Sequence, residues 1–149
     1  MSTESFGRVA EIAIDRSTNE AYFADGYGNK RVAVVDVATG AFKRFWGAYG
    51  NEPIDERVVY DPDAPLPQQF VGPVHCAEPS NDGLIYVCDR GADRIQVFRP
   101  DGTFVKEGQV APLCLLYTSP SPRDQRGSGV GGCAGKKKGG GGGGGGGGG

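Results

Sequence analysis

The chain contains a single histidine, His75. An imidazole can carry a proton near neutral pH or fill one position on a metal ion. A catalytic zinc takes about three protein ligands, so His75 alone cannot assemble such a centre. Cys76 follows directly, and Cys88 stands on the far side of the turn Ser80-Asn81-Asp82-Gly83, each six residues from Asp82. An antiparallel hairpin about that turn sets the two cysteines opposite each other. There they either pack as small apolar residues or form a cross-strand disulfide, a setting in which the bond is usually strained. The acidic groups Asp55-Glu56 and Asp61 to Asp63 offer oxygen ligands of the kind calcium takes, yet they lack EF-hand spacing, and a solvated loop is the alternative. Tyr27, between Gly26 and Gly28, and Arg90, next to Asp89, are the remaining candidates.

The elements that must position these residues are read from an internal repeat. Glu20-Ala21-Tyr22-Phe23-Ala24-Asp25 is an aromatic strand ending in Asp. A polar loop follows, then Arg31 and the β-branched run to Val37. The pattern returns in Leu84-Ile85-Tyr86-Val87-Cys88-Asp89, a short loop, then Arg94 and the run to Arg99. Each copy closes in a turn, at Thr39-Gly40 and at Asp101-Gly102, leading into a strand with aromatic and basic residues. A repeat of four short strands is the pattern of a β-propeller blade. The expected fold class is therefore all-β, with two four-stranded antiparallel blades. One spans residues 8–46, the other 72–107, with an inter-blade loop at 47–71 whose length suggests a functional or mobile segment. Val9 to Asp15 alternates with little polarity, as in an inner strand covered on both faces. In the outer strand, Phe42, Arg44 and Trp46 are expected on one face and Lys43 and Phe45 on the other. Closed propellers have about 4–8 blades. Two cannot form a ring, so the expectation is a truncated propeller, cut at both ends.

In an up-and-down meander, the entry to the first strand and the loop joining the second to the third open on the same side. His75 lies at the start of a first strand. Tyr27 and Arg90 lie in loops between second and third strands. All three should face one mouth of the ring, where convergent polar groups would build a site. The plainer alternatives are a hydrogen-bonded loop histidine, an aromatic packed over the mouth, and an arginine ion-paired with Asp89, Asp93 or a neighbouring blade. Asp25 and Asp89 recur at one position, as do Arg31 and Arg94, and recurrence favours a structural role: a carboxylate accepting loop N–H groups.

Residues 1–113 hold 11 Lys and Arg against 17 Asp and Glu, a net charge of −6. That balance argues against nucleic acid or an anionic membrane as partner. No apolar run approaches the ~20 residues of a membrane span, and no signal-peptide pattern follows Met1. The text changes at Cys114. The run from Cys114 to Asp124 resembles a translated sequencing adapter, Lys136 to Lys138 resembles an adenine run, and Gly139 to Gly149 is glycine throughout. Residues 114–149, with Cys114 and Cys133, are thus expected to be an artefactual or disordered Gly-rich tail, since a glycine run buries nothing and costs much entropy to order.

The series Tyr86-Val87-Cys88-Asp89, Arg94-Ile95-Gln96-Val97-Phe98 and Asp101-Gly102 resembles the NHL-repeat family of six-bladed propellers. A narrower likeness is to the peptidyl-α-hydroxyglycine α-amidating lyases. Asp25-Gly26-Tyr27-Gly28-Asn29-Lys30-Arg31 is similar to their catalytic-tyrosine loop, Pro73-Val74-His75 to the surroundings of a zinc-ligand histidine, and Cys88-Asp89-Arg90 to an active-site arginine segment. Two departures stand out: Val74 separates Pro73 from His75, and Gly28 stands where the lyases have Cys. The resemblance implies a catalytic pair, Tyr27 and Arg90, with His75 as metal ligand and zinc as cofactor in the intact parent but not in this fragment. It also implies a peptide or small-molecule ligand and an extracytoplasmic location. The implied alternative is a non-catalytic propeller serving as a ligand-binding or protein-interaction scaffold, because propeller shape alone does not define activity.

Overall fold

The computed structural model describes residues 2–110. The expectations for residues 114–149, including Cys114 and Cys133, lie outside the described residues. Among those described, eight strands appear: β1 Glu11–Asp15, β2 Glu20–Asp25, β3 Arg31–Asp36, β4 Phe42–Trp46, β5 Val74–Pro79, β6 Ile85–Asp89, β7 Arg94–Phe98 and β8 Phe104–Gln109. They form two four-stranded antiparallel sheets, each with its strands in chain order. The fold is all-β, with two successive propeller-like blades.

Local chemistry explains the meander. All four outer hairpins turn on an Asp whose Oδ1 accepts the backbone N–H two residues on: Asp15 from Ser17, Asp36 from Ala38, Asp82 from Leu84, and Asp101 from Thr103. Such Asx turns offer the backbone a closed alternative to continuing a strand. Between the hairpins, Tyr22, Val32, Val34 and Trp46 of the first blade interleave with Ala77, Ile85, Val87 and Phe98 of the second in one buried cluster. The rings of Trp46 and Phe98 stand 5.8 Å apart. Burial of each large side chain stabilises by about 2 kcal/mol. Gly102 lies flat beneath the Trp46 indole, where a Cβ would come within 3.0 Å of the ring.

Each blade also holds the segment that precedes it. Asp25 and Arg31 form an ion pair at 2.9 Å, Asp89 and Arg94 one at 3.0 Å, and all four side chains are buried. Asp25 accepts the Gly7 N–H, and Arg31 donates to the Ser2 and Ser5 carbonyls. Asp89 accepts the Val71 and Gly72 N–H groups, and Arg94 donates to the Pro67 and Gln69 carbonyls. A buried pair holds only when its remaining donors and acceptors are satisfied, and the entering backbone satisfies them. Phe6 and Phe70 sit at corresponding places, against Phe23 and Phe98 respectively. The repeat therefore starts earlier than residues 8 and 72. The start of the linker is held as well: the Tyr49 N–H donates to the Gln96 side-chain oxygen, and its hydroxyl accepts from Arg94 and donates to Glu107.

Two expectations change, and one alternative left open is decided. β1 is not covered on both faces, since Ile12 and Ile14 are 53% and 57% exposed: no described sheet packs on that side. In β4, the register slips between Val34 and Val35. A bulge there turns Lys43 and Arg44 to the same side, where both pair with Glu20, and sends Phe42 toward Phe45, 5.8 Å away between ring centres. The second blade has the same slip between Val97 and Phe98. Finally, Cys76 and Cys88, which face each other in the β5–β6 register, are joined as a disulfide.

Candidate functional site

Two loops and one strand entry build the mouth. The β2–β3 loop approaches β5 so closely that a Cβ on Gly26 would stand 2.0 Å from the Val74 carbonyl oxygen. Gly28 is similarly pressed against Gly7, at 2.4 Å. Neither glycine has a positive φ. What the loop requires at these places is the missing side chain, not the conformational freedom. The approach carries Tyr27, 48% exposed, over the entry of β5. Its ring lies edge-on to His75, with centroids 6.3 Å apart at 71°.

The β6–β7 loop closes the other side. It begins as a single 3-10 turn over Arg90–Ala92. The Arg90 N–H donates to the Pro73 carbonyl, two residues before His75, at 3.2 Å. The neighbouring carboxylate, Asp89, is committed to Arg94, Val71 and Gly72. The Arg90 charge acts instead on His75, whose pKa lies below its ordinary value, first through burial and then through that guanidinium. His75 is thus a neutral imidazole at neutral pH, the form that accepts a proton or ligates a metal.

Tyr27, His75 and Arg90 are therefore neighbours, across loops from both blades. A cleft of about 360 Å3 adjoins Tyr27 and is lined also by Lys30, Arg57, Val71 and Pro73. The Lys30 ammonium donates to the Glu56 carbonyl at 2.6 Å, tying the β2–β3 loop to the linker. Lys30 and Arg57 were not singled out from the sequence. The available signal was the basic residue directly before Arg31; Arg57, lying in an irregular linker, carried none.

One imidazole does not fit a zinc centre, which needs about three protein ligands. Among the described residues no group of three His, Cys, Asp or Glu side chains is arranged to hold a metal. Asp61 in the linker accepts the Asp63 N–H at 2.9 Å, so at least one carboxylate oxygen of that acidic group serves the backbone. The chemistry these residues can supply is proton handling by Tyr27 and His75 and anion binding by Arg90, with Lys30 and Arg57 nearby. No helix among the described residues is long and apolar enough to cross a membrane. No family model matches the chain.

Proposed function

We propose that these two blades belong to an NHL-type propeller whose mouth is lyase-like, cleaving peptidyl-α-hydroxyglycine to a peptide amide and glyoxylate in the intact protein. The observation that supports this reading is the ring contact of Tyr27 with His75, with Arg90 near enough for its charge to act on that imidazole. In the reaction, the C–N bond breaks, the substrate hydroxyl becomes the glyoxylate carbonyl, and its proton reaches the departing amide nitrogen. In this reading Tyr27 takes that proton as general base. Arg90 suits the glyoxylate-side carboxylate, for which a guanidinium offers a paired donor fork.

The test is glyoxylate release from such a substrate by the protein of the full reading frame. Tyr27→Phe should slow it by on the order of 10²- to 10⁴-fold, the usual contribution of a general base. Arg90→Ala should chiefly raise KM. An intact ring that binds substrate but releases no glyoxylate would sink the lyase reading.

The second reading is a non-catalytic ligand-binding ring or interaction scaffold. Its support is the ring contact of Tyr27 with His75, which packs the β2–β3 loop on the second blade without any need of catalysis. Further histidines at first-strand positions equivalent to His75, in additional blades, would favour the enzyme; their absence from a complete ring would favour the scaffold.

A further inference from the structure

Among the described residues nothing covers the two end faces of the blade pair, and the molecule contains the pattern for what would. Aligning Asp25 with Asp89 and Arg31 with Arg94 along the strand registers superposes one blade on the other. The second blade docks on the first through Phe70, Ala77, Ile85, Val87 and Phe98. The corresponding residues of the first blade are Phe6, Ile12, Ala21, Phe23 and Val35, every one apolar. They form its outward face, where no described sheet lies. Phe6, Ile12, Ile14 and Val37, half of the large hydrophobics exposed on the molecule's described part, lie on this face or its rim.

The receiving face repeats in the same way. Tyr22, Val32 and Val34 receive the second blade. Their counterparts, Tyr86, Ile95 and Val97, line an open groove of about 350 Å3 on the second blade's free face, together with Lys106, Gly108 and Val110. In the existing interface, Arg44 Nε donates to the Pro100 carbonyl of the next blade at 2.8 Å. Lys106 stands in the place of Arg44 and projects from the free face. The carbonyl corresponding to that of Pro100 belongs to Val37, on the first blade's exposed rim. The free face of blade two and the outward face of blade one are therefore the two halves of an interface that this chain already makes once.

We propose that the occupant of the groove is the first blade of a second copy of this chain, docked head to tail. The contact is heterologous, so it either closes into a ring or runs on as an open filament. Propeller geometry of about 4–8 blades corresponds to closed rings of two to four copies. Within the contact, Ile12 and Phe23 of one copy cover Tyr86 and Ile95 of the other, and Lys106 meets the Val37 carbonyl. This inference rests on the blade repeat and concerns the 149-residue chain; in a longer polypeptide that closes its own ring, further blades would take the same faces.

The experiment is sedimentation velocity on the full 149-residue chain over a range of micromolar concentrations. Association to two to four copies is the expected result. A donor-face variant, Ile12→Asp with Ile14→Asp, changes side chains that are already more than half exposed. A receiver-face variant, Ile95→Glu with Lys106→Glu, changes the groove. Each alone should weaken association on the order of 100-fold, because an unpaired carboxylate would have to be buried. Mixed in equal amounts, the two variants should form a one-to-one dimer and nothing larger, since each retains one working face. Strand-rich circular dichroism of each variant alone reports folding. A chain that stays monomeric throughout overturns the proposal and leaves the groove to a further blade of a longer polypeptide. Association that survives both variants, or a mixture of two folded variants that forms no dimer, overturns it equally.

Discussion

The two blades use one device in two settings. In each, an Asp at the end of the second strand pairs with the Arg opening the third, and both reach back to the segment entering the blade. In the second blade that segment is covered: Phe70 is 1% exposed, and Tyr49 adds its ring and hydroxyl to Arg94. In the first blade the same anchor holds a segment whose Phe6 remains 41% exposed. The difference shows that the pair is a local feature of both blades, whereas the protection of what it holds comes from the preceding blade.

The largest expected effect tests this contrast directly. Arg94→Ala orphans Asp89 and releases two carbonyls, which should cost about 3–5 kcal/mol, the range for breaking one partner of a buried pair. Arg31→Ala should cost less, about 2 kcal/mol, because water can reach the segment it releases. Urea unfolding of the two variants measures both, and equal losses would dissolve the distinction between the blades.

Next comes the covalent difference. The second blade carries the Cys76–Cys88 disulfide, while Glu11 and Ala24 face each other at the same register in the first. By the loop-entropy argument, closing a loop of this size stabilises by about 2–3 kcal/mol. Reduction by a thiol should lower stability by that amount and raise amide exchange in β5 and β6, leaving β1 and β2 as they were. Equal acceleration in both hairpins would show that the bond does not act locally.

The first blade has its own substitute in Glu20, bound by Arg44 and Lys43, where the second has Leu84. The Arg44 guanidinium holds the Glu20 carboxyl well below the ordinary carboxylate range, at about 2. Its contribution is present above pH about 4.5 and is lost as pH falls toward 2, on the order of 2 kcal/mol in all. Glu20→Gln should flatten stability over that acid range. An unchanged acid profile would mean the ion pair adds nothing.

The smallest effect concerns the mouth between the blades. His75 should titrate below 6.5 by NMR, and Arg90→Gln should move its pKa part of the way back, since burial remains as the larger cause. In the folded state a lowered histidine pKa costs stability as pH falls below 6.5, so stability should rise with pH through that window. An unmoved His75 resonance in the Arg90 variant would separate the two side chains electrostatically.

Much of this architecture was legible in the residues alone. Alternating apolar strands, turn residues and the recurring Asp and Arg specify eight strands in two meanders, and the two sheets lie in the spans expected for the two blades, with β8 running on to Gln109. The juxtaposition of Tyr27, His75 and Arg90 followed from meander topology, because it needs only to know which ends of the strands a loop joins. The role of Phe6 was open to the same reading, since Phe6 and Phe70 are spaced as Asp25 and Asp89 are. The bulge at Lys43 was not, because strict alternation conceals a one-residue slip in pairing.

The sequence by itself determined which segments become strands and where they turn, because periodicity and turn chemistry act over a few residues. Only the tertiary structure decided that Gly26 must lack a side chain where Val74 passes, that Cys76 and Cys88 bond rather than merely pack, and that Ile12 and Ile14 stand uncovered. Those outcomes depend on how closely a distant stretch of backbone approaches, and on whether one approaches at all, which no local pattern encodes.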